Sequence, residues 1–211
     1  MNPTQSEVEN HRLIAGVLCL DFTNTLNGHG RASGHEYLKD YSDLVLWCRR
    51  TGVLPEQDAG ALLEDATTGR TKKAAAAYRS LIAFRETLYR IFSAIAQGQP
   101  VKPADLAQLN EARSDALEHT QIVPSSEGFI MGLTSKKNLH RMLWPLALSA
   151  ADLLTSAKTN QIRQCAGKGC DWLFLDTSRN HLRKWCSMDE CGNRSKNHRF
   201  FERKRESAVE G

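Results

Sequence analysis

Aromatic residues make up only 7% of the 211-residue chain, and no run approaches the roughly 20 apolar residues that a membrane-spanning helix needs. A membrane partner is therefore not expected. The first dozen residues, MNPTQSEVENHR, lack a basic segment followed by an apolar one, so no secretory signal is read there and a cytoplasmic location is expected. Thiols stay reduced in that compartment, which removes the disulfide framework that six cysteines would otherwise suggest. The sequence has no G-x-S-x-G, no phosphate loop and no H-E-x-x-H. His11, His29, His35, His119 and His140 are scattered, with His29 and His35 read as surface residues of a glycine-rich loop. An enzyme is not expected. Internal repeats and low-complexity stretches are missing too. Charge of one sign is also missing from the first 160 residues, where 17 Lys or Arg meet 17 Asp or Glu.

What is present is a hydrophobic fraction of 41%, enough for a sizeable core, arranged mostly with helical spacing. Residues 1–10 read as a loose leader. AGVLCLDFTNTL (15–26) reads as a short strand or a buried helix start, and NGHGRASGH (27–35) as a loop. Helices are predicted over 36–50, 55–67, 71–98, 103–120 and 139–158, with Pro145 a kink or part of a late first turn. The longest, 71–98, carries a stripe of Tyr78, Leu81, Ile82, Leu88, Ile91, Phe92 and Ile95 and stops at Gly98. TQIVPSSEGFIMGLT (120–134) reads as a hairpin. The fold class expected is α+β: a mostly helical domain over 1–160 with a few short strands, then a cysteine module over 161–211. The last helix of the body is expected to run into that module.

The module holds Cys165, Cys170, Cys186 and Cys191, spaced as C-x4-C, fifteen residues, C-x4-C. Two close pairs at this separation suit a tetrahedral Zn2+ site, because thiolates from two short turns can surround one ion. An iron site of the rubredoxin kind is the other soft-metal alternative. Cys19 and Cys48 sit in apolar surroundings and read as small buried hydrophobes. Between the cysteine pairs, WLFL reads as a strand, TSRN as a turn and HLRKW as a returning strand. After Cys186 the chain reads as a helix. Knuckle, hairpin and helix in this order form a treble clef, whose small core needs the metal for folding.

The whole net charge of +4 lies in residues 161–211. Arg179, Arg183, Lys184, Arg194, Lys196, Arg199, Arg203 and Lys204, with His198 beside them, are candidate contacts to duplex DNA, mainly to phosphates. The competing reading is a structural finger with a solvated basic tail, in which Arg194 bonds inside the finger. Phe200 and Phe201 are expected to pack on Trp172, Trp185 or the body. In the body, Asp21, Asn24, Thr25 and Arg85 are candidates for a pocket binding a small acidic effector. Equally open is a structural role, with Asp21 and Asn24 capping a helix and Arg85 paired with a carboxylate, Asp21 among the choices.

The stretch CDWLFLDTSRNHLRKWCSMDECGNRSKNHRF resembles the CGNR zinc finger, whose motif stands here as Cys191-Gly192-Asn193-Arg194, over about residues 161–205. The body is similar to the ABATE domain in LDFTNTL (20–26), DLVLWCRRTGVL (43–54) and FRETLYRIF (84–92). The resemblance implies a bacterial two-domain transcription regulator linked to stress. A homodimer is the common arrangement for regulators that read paired half-sites. The alternative is a zinc-stabilised protein-interaction or thiol redox-sensing module that does not bind DNA directly.

Overall fold

A computed structural model of the chain describes residues 3–67, 71–133 and 138–209. The elements run α1 (Pro3–Asn10), α2 (Leu18–Thr23), β1 (Leu26–Asn27), β2 (His35–Glu36), α3 (Tyr41–Arg50), α4 (Glu56–Thr67), α5 (Thr71–Ala96), α6 (Pro103–Glu118), β3 (Thr120–Ser125), β4 (Gly128–Leu133) and α7 (Leu143–Thr155). A 3-10 turn (Ala157–Gln161), β5 (Ile162–Gln164), β6 (Leu173–Leu175), a π-turn (Met188–Gly192) and α8 (Asn193–Val209) complete the chain. The fold is α+β, a helical body with small antiparallel strand pairs and a C-terminal four-cysteine cluster. Among the described residues no helix is long and apolar enough to cross a membrane.

The body is organised around α5. Its sequence holds no glycine or proline before Gly98, which takes φ 66° and closes the helix as Gln99 N–H donates to the Ala94 carbonyl at 2.8 Å. Leu81, Leu88, Ile91 and Phe92 are fully buried along one stripe. Trp47 and Leu44 of α3, Phe22 of α2 and Trp144 of α7 meet it in one continuous core. Pro145 lies in the first turn of α7, where its missing N–H leaves no intrahelical bond unmade.

Several local expectations need correction. The loose leader expected over 1–10 is not found where the chain is described: α1 packs on α3 and buries Val8. The helix expected from residue 36 begins at Tyr41, where Asp40 caps it by accepting from Asp43 N–H at 2.9 Å. Upstream, Glu36 is held in β2, opposite Leu26. Nor does α7 run into the cysteine module, since it stops at Thr155 before the 3-10 turn and β5.

The returning strand expected at HLRKW does not form. β6 pairs instead with β5, in the register Ile162↔Leu175, Arg163↔Phe174 and Gln164↔Leu173. The cysteine knuckle is itself the chain reversal, so the partner strand comes from before it. The later segment is shaped by Asp176, whose carboxylate accepts from Ser178 N–H at 3.0 Å and Arg183 N–H at 2.9 Å. Ile162, Leu173 and Leu175 belong to the main core, so the strand pair that carries the knuckle is rooted in the body.

Candidate metal centre and basic helix

Two turns bring the four thiols together. In the first, Cys170 N–H donates to the Gly167 carbonyl at 2.9 Å, and Gly169 takes φ 78°. A side chain at Gly167 would place Cβ 3.0 Å from both Cβ and Sγ of Cys191, so the turn crosses the cluster without strain only when that side chain is missing. In the second, the π-turn holds Cys191 as Gly192 N–H donates to the Ser187 carbonyl at 3.0 Å.

All four Sγ atoms lie within 4.8 Å of one another. Cys170 and Cys186 are 3.8 Å apart at sulfur, and Cys186 and Cys191 3.7 Å. A tetrahedral ion with metal–sulfur bonds of about 2.3 Å sets its sulfurs roughly 3.8 Å apart. Disulfide sulfurs would be at about 2 Å. Backbone N–H groups of Gly167 and Cys186 point at Cys165 Sγ at 3.4 and 3.3 Å, as they do toward thiolate charge. Without a cation the cluster cannot ionise together. Cys165 is drawn down by hydrogen bonds from the Cys170 and Cys186 thiols, while Cys170 is pushed up by its bond to Cys165. Cys186 is raised by the same neighbours, and Cys191 by burial and then by the charge on Cys165. The donor set fits a four-thiolate metal ion.

This centre is stitched to the body. The Asn24 side chain donates to the Leu173 carbonyl and accepts its N–H, both at 2.8 Å, so it pairs with β6 as a strand would. Leu175 N–H donates to the Ala15 carbonyl at 2.9 Å. The Asp171 carboxylate, next to Cys170, accepts from Gly28 N–H at 2.9 Å and His29 N–H at 2.7 Å. Arg12 reaches Glu190 at 2.9 Å.

A family described as "putative stress-induced transcription regulator", ABATE, matches residues 16–157. The chain belongs to the ABATE family. The CGNR zinc finger matches residues 161–204. No curated protein matches the chain as a relative.

Asp21, Asn24, Thr25 and Arg85 of the ABATE body all have internal partners. Asp21 accepts from Ala15 N–H at 2.9 Å, and burial pushes its carboxyl up to about 6. Thr25 donates to the Phe22 carbonyl at 2.7 Å and accepts from Arg85 at 3.1 Å. Arg85, only 1% exposed, forks onto both oxygens of Glu36 at 2.7 and 2.6 Å and also donates to Glu86 at 3.1 Å. Its carboxylates are thus Glu36 and Glu86, and Asp21 is not among them.

The expectation that His29 lies on the surface is also corrected. Its side chain is 4% exposed, stacked on Tyr89 at 3.5 Å, with Nδ1 2.8 Å from Glu86 and Nε2 3.0 Å from the Thr23 carbonyl. Asp171, His29 and Tyr89 are not legible in the sequence because the contacts Asp171–Gly28, His29–Glu86 and Tyr89–Asp171 span 57 to 143 residues, beyond any local pattern. His35 is exposed.

The cations of the CGNR finger divide. Arg183 is folded inward, its guanidinium donating to the Trp185 carbonyl at 2.9 Å and to the Cys186 carbonyl, 4.5 Å over the Phe174 ring. Arg179, Lys184, Arg194 and Lys196 are exposed. Arg194 also lies 3.7 Å from Cys191 Sγ, which places one of its nitrogens inside the finger. His198 sits between Glu202 at 3.0 Å and Lys168 at 3.1 Å. The side chains of Arg199, Arg203 and Lys204 lie outside the described residues. Phe200 and Phe201 do not pack on Trp172, Trp185 or the body: they are 57% and 61% exposed and touch each other.

Proposed function

We propose that the protein is a transcription regulator that binds duplex DNA through α8, with Zn2+ in the four-cysteine site. Cys165, Cys170, Cys186 and Cys191 would hold the ion, whose positive charge lets all four thiols ionise. The observation that carries this reading is α8 itself. It starts at the last cysteine turn, carries six Lys or Arg against two Glu, and turns nearly all of its described side chains to solvent. Knuckle, strand and helix follow in the order of a treble clef, which would use the ion to aim the helix. Arg194, Lys196, Arg199, Arg203 and Lys204 provide the phosphate contacts, with Arg179 and Lys184 beside them. Arg183 supports the turn. We assign Asp21, Asn24, Thr25 and Arg85 to the joint between ABATE body and finger in place of an effector pocket.

Fluorescence anisotropy of a labelled duplex, with metal retained, tests this. Binding that neutralises four phosphates should weaken about 100-fold between 50 and 200 mM salt. A zinc-stabilised protein-interaction or redox module predicts no binding to the duplex even at low salt, and that result would reject the proposal.

A further inference from the structure

Between Asn193 and Arg205 the only apolar residues are Phe200 and Phe201. They stand in the open on a helix with six cations, and they pack edge to face, with ring centroids 5.6 Å apart at 74°. Two adjacent large apolar side chains exposed on an otherwise polar helix mark a candidate contact surface. A helical partner would need an apolar stripe repeating at three and four residues, and α8 has none. By helical position, Lys196 precedes Phe200 by one turn, and Arg203 and Lys204 follow it by one turn. Glu202, the one acid in this stretch, is engaged by His198 at 3.0 Å. The surroundings of the pair therefore match a polyanion, and the pair itself matches an apolar group held among phosphates.

Duplex DNA offers one such group in its major groove, the C5-methyl of thymine, and that groove, about 12 Å wide, admits a helix about 10–12 Å across. The edge-to-face arrangement blocks one ring face with the edge of the other ring, so the pair is not a flat plate for insertion between bases. A methyl contact needs no unstacking, whereas an inserted wedge does. We infer that Phe200 and Phe201, at the middle of α8, form its base-reading contact and select A·T-containing sites by contacting thymine methyl groups. This rests on the DNA-binding reading above and adds to it the residues that discriminate sequence.

The test compares the full-length, metal-loaded protein on a short alternating A·T duplex and on the same duplex with every thymine replaced by uracil. The two differ only in the methyl groups, and the repeat presents methyls throughout, so no target sequence is needed. The expected result is a preference for thymine of about four-fold for each methyl buried. In the double variant Phe200→Ala, Phe201→Ala that preference should vanish while the dependence on salt remains, since the phosphate contacts are untouched. Both side chains are exposed, so the variant is expected to fold, which its metal content and thermal melt check. Equal, salt-dependent affinity of the natural protein for the two duplexes would overturn the inference and leave DNA binding standing. So would a thymine preference that survives in the double variant. No binding to either duplex would remove the DNA-binding reading itself.

Discussion

At Gly167 the cysteine cluster leaves little room for a side chain, because an added Cβ would meet Cys191 at 3.0 Å. Gly167→Ala should destabilise the loaded protein by about 1–3 kcal/mol through overpacking, and lower metal affinity with it. Thermal melts and competition with a chromogenic chelator measure both, and an unchanged melt would contradict the crowding. Asn24 is as exacting for a different reason. Asn24→Ala would leave the buried N–H and carbonyl of Leu173 without partners, an expected loss of about 3 kcal/mol by urea denaturation.

Two buried groups work against each other in acid. His11 donates through Nε2 to the Asn24 carbonyl at 3.0 Å, while Nδ1 is buried without a partner. Burial pushes its imidazole down to about 4 from 6.5, so its stabilising contribution is complete above 6.5 and is lost as pH falls toward 4. Burial pushes Asp21 up to about 6 from 3.8, so its contribution is complete in acid and is lost as pH rises toward 6. The contributions of these two groups should therefore nearly cancel from pH 4 to 6. Relative to the natural protein, His11→Gln should lose stability as pH rises across that window, and Asp21→Asn should gain it, each by up to about 3 kcal/mol. Urea melts of the three proteins at pH 4.5 and 6.5 decide it. The cysteines could be grouped from their spacing alone, but the environment of His11 could not. It is built from Tyr37 and Trp172, residues 26 and 161 positions further on.

Among the elements, long helices were readable and short strands were not. The stripe of α5 and its stop at Gly98 follow from local spacing and backbone freedom, as does the β3–β4 hairpin. The three-residue strands β5 and β6 are another matter. β5 is too short to declare itself, and its pairing with β6 depends on where the knuckle folds the chain. WLFL reads as a strand, but local pattern alone places its partner downstream, in HLRKW. At α8 the sequence shows helix and charge but not that its described side chains face solvent. A helix of this length with few tertiary contacts is only marginally ordered in water. Its helical circular dichroism should rise when duplex DNA is added, and an unchanged spectrum at saturation would mean that α8 is already ordered alone.

Across the whole molecule, body and finger share a core. Ile162, Leu173 and Leu175 leave the strand pair of the finger to pack among the residues of the ABATE body, and Asp171 holds the loop at Gly28 and His29 from beside Cys170. Metal removal should therefore lower the melting temperature of the body as well as the finger, which scanning calorimetry with and without a chelator reads directly. A body transition that ignores the metal would contradict that coupling. The charge asymmetry and the cysteine spacing were legible in the sequence, and so was the family. The joint was not, since Asn24 and Leu173 are 149 residues apart.

The role proposed for α8 is that of a metal-pinned cationic helix that holds duplex DNA. Its most direct test is the slope of log affinity against log salt for the natural protein and for Lys196→Ala. A steep negative slope that becomes shallower by about one in the variant is the result predicted. A flat slope, or one the variant leaves unchanged, would contradict it.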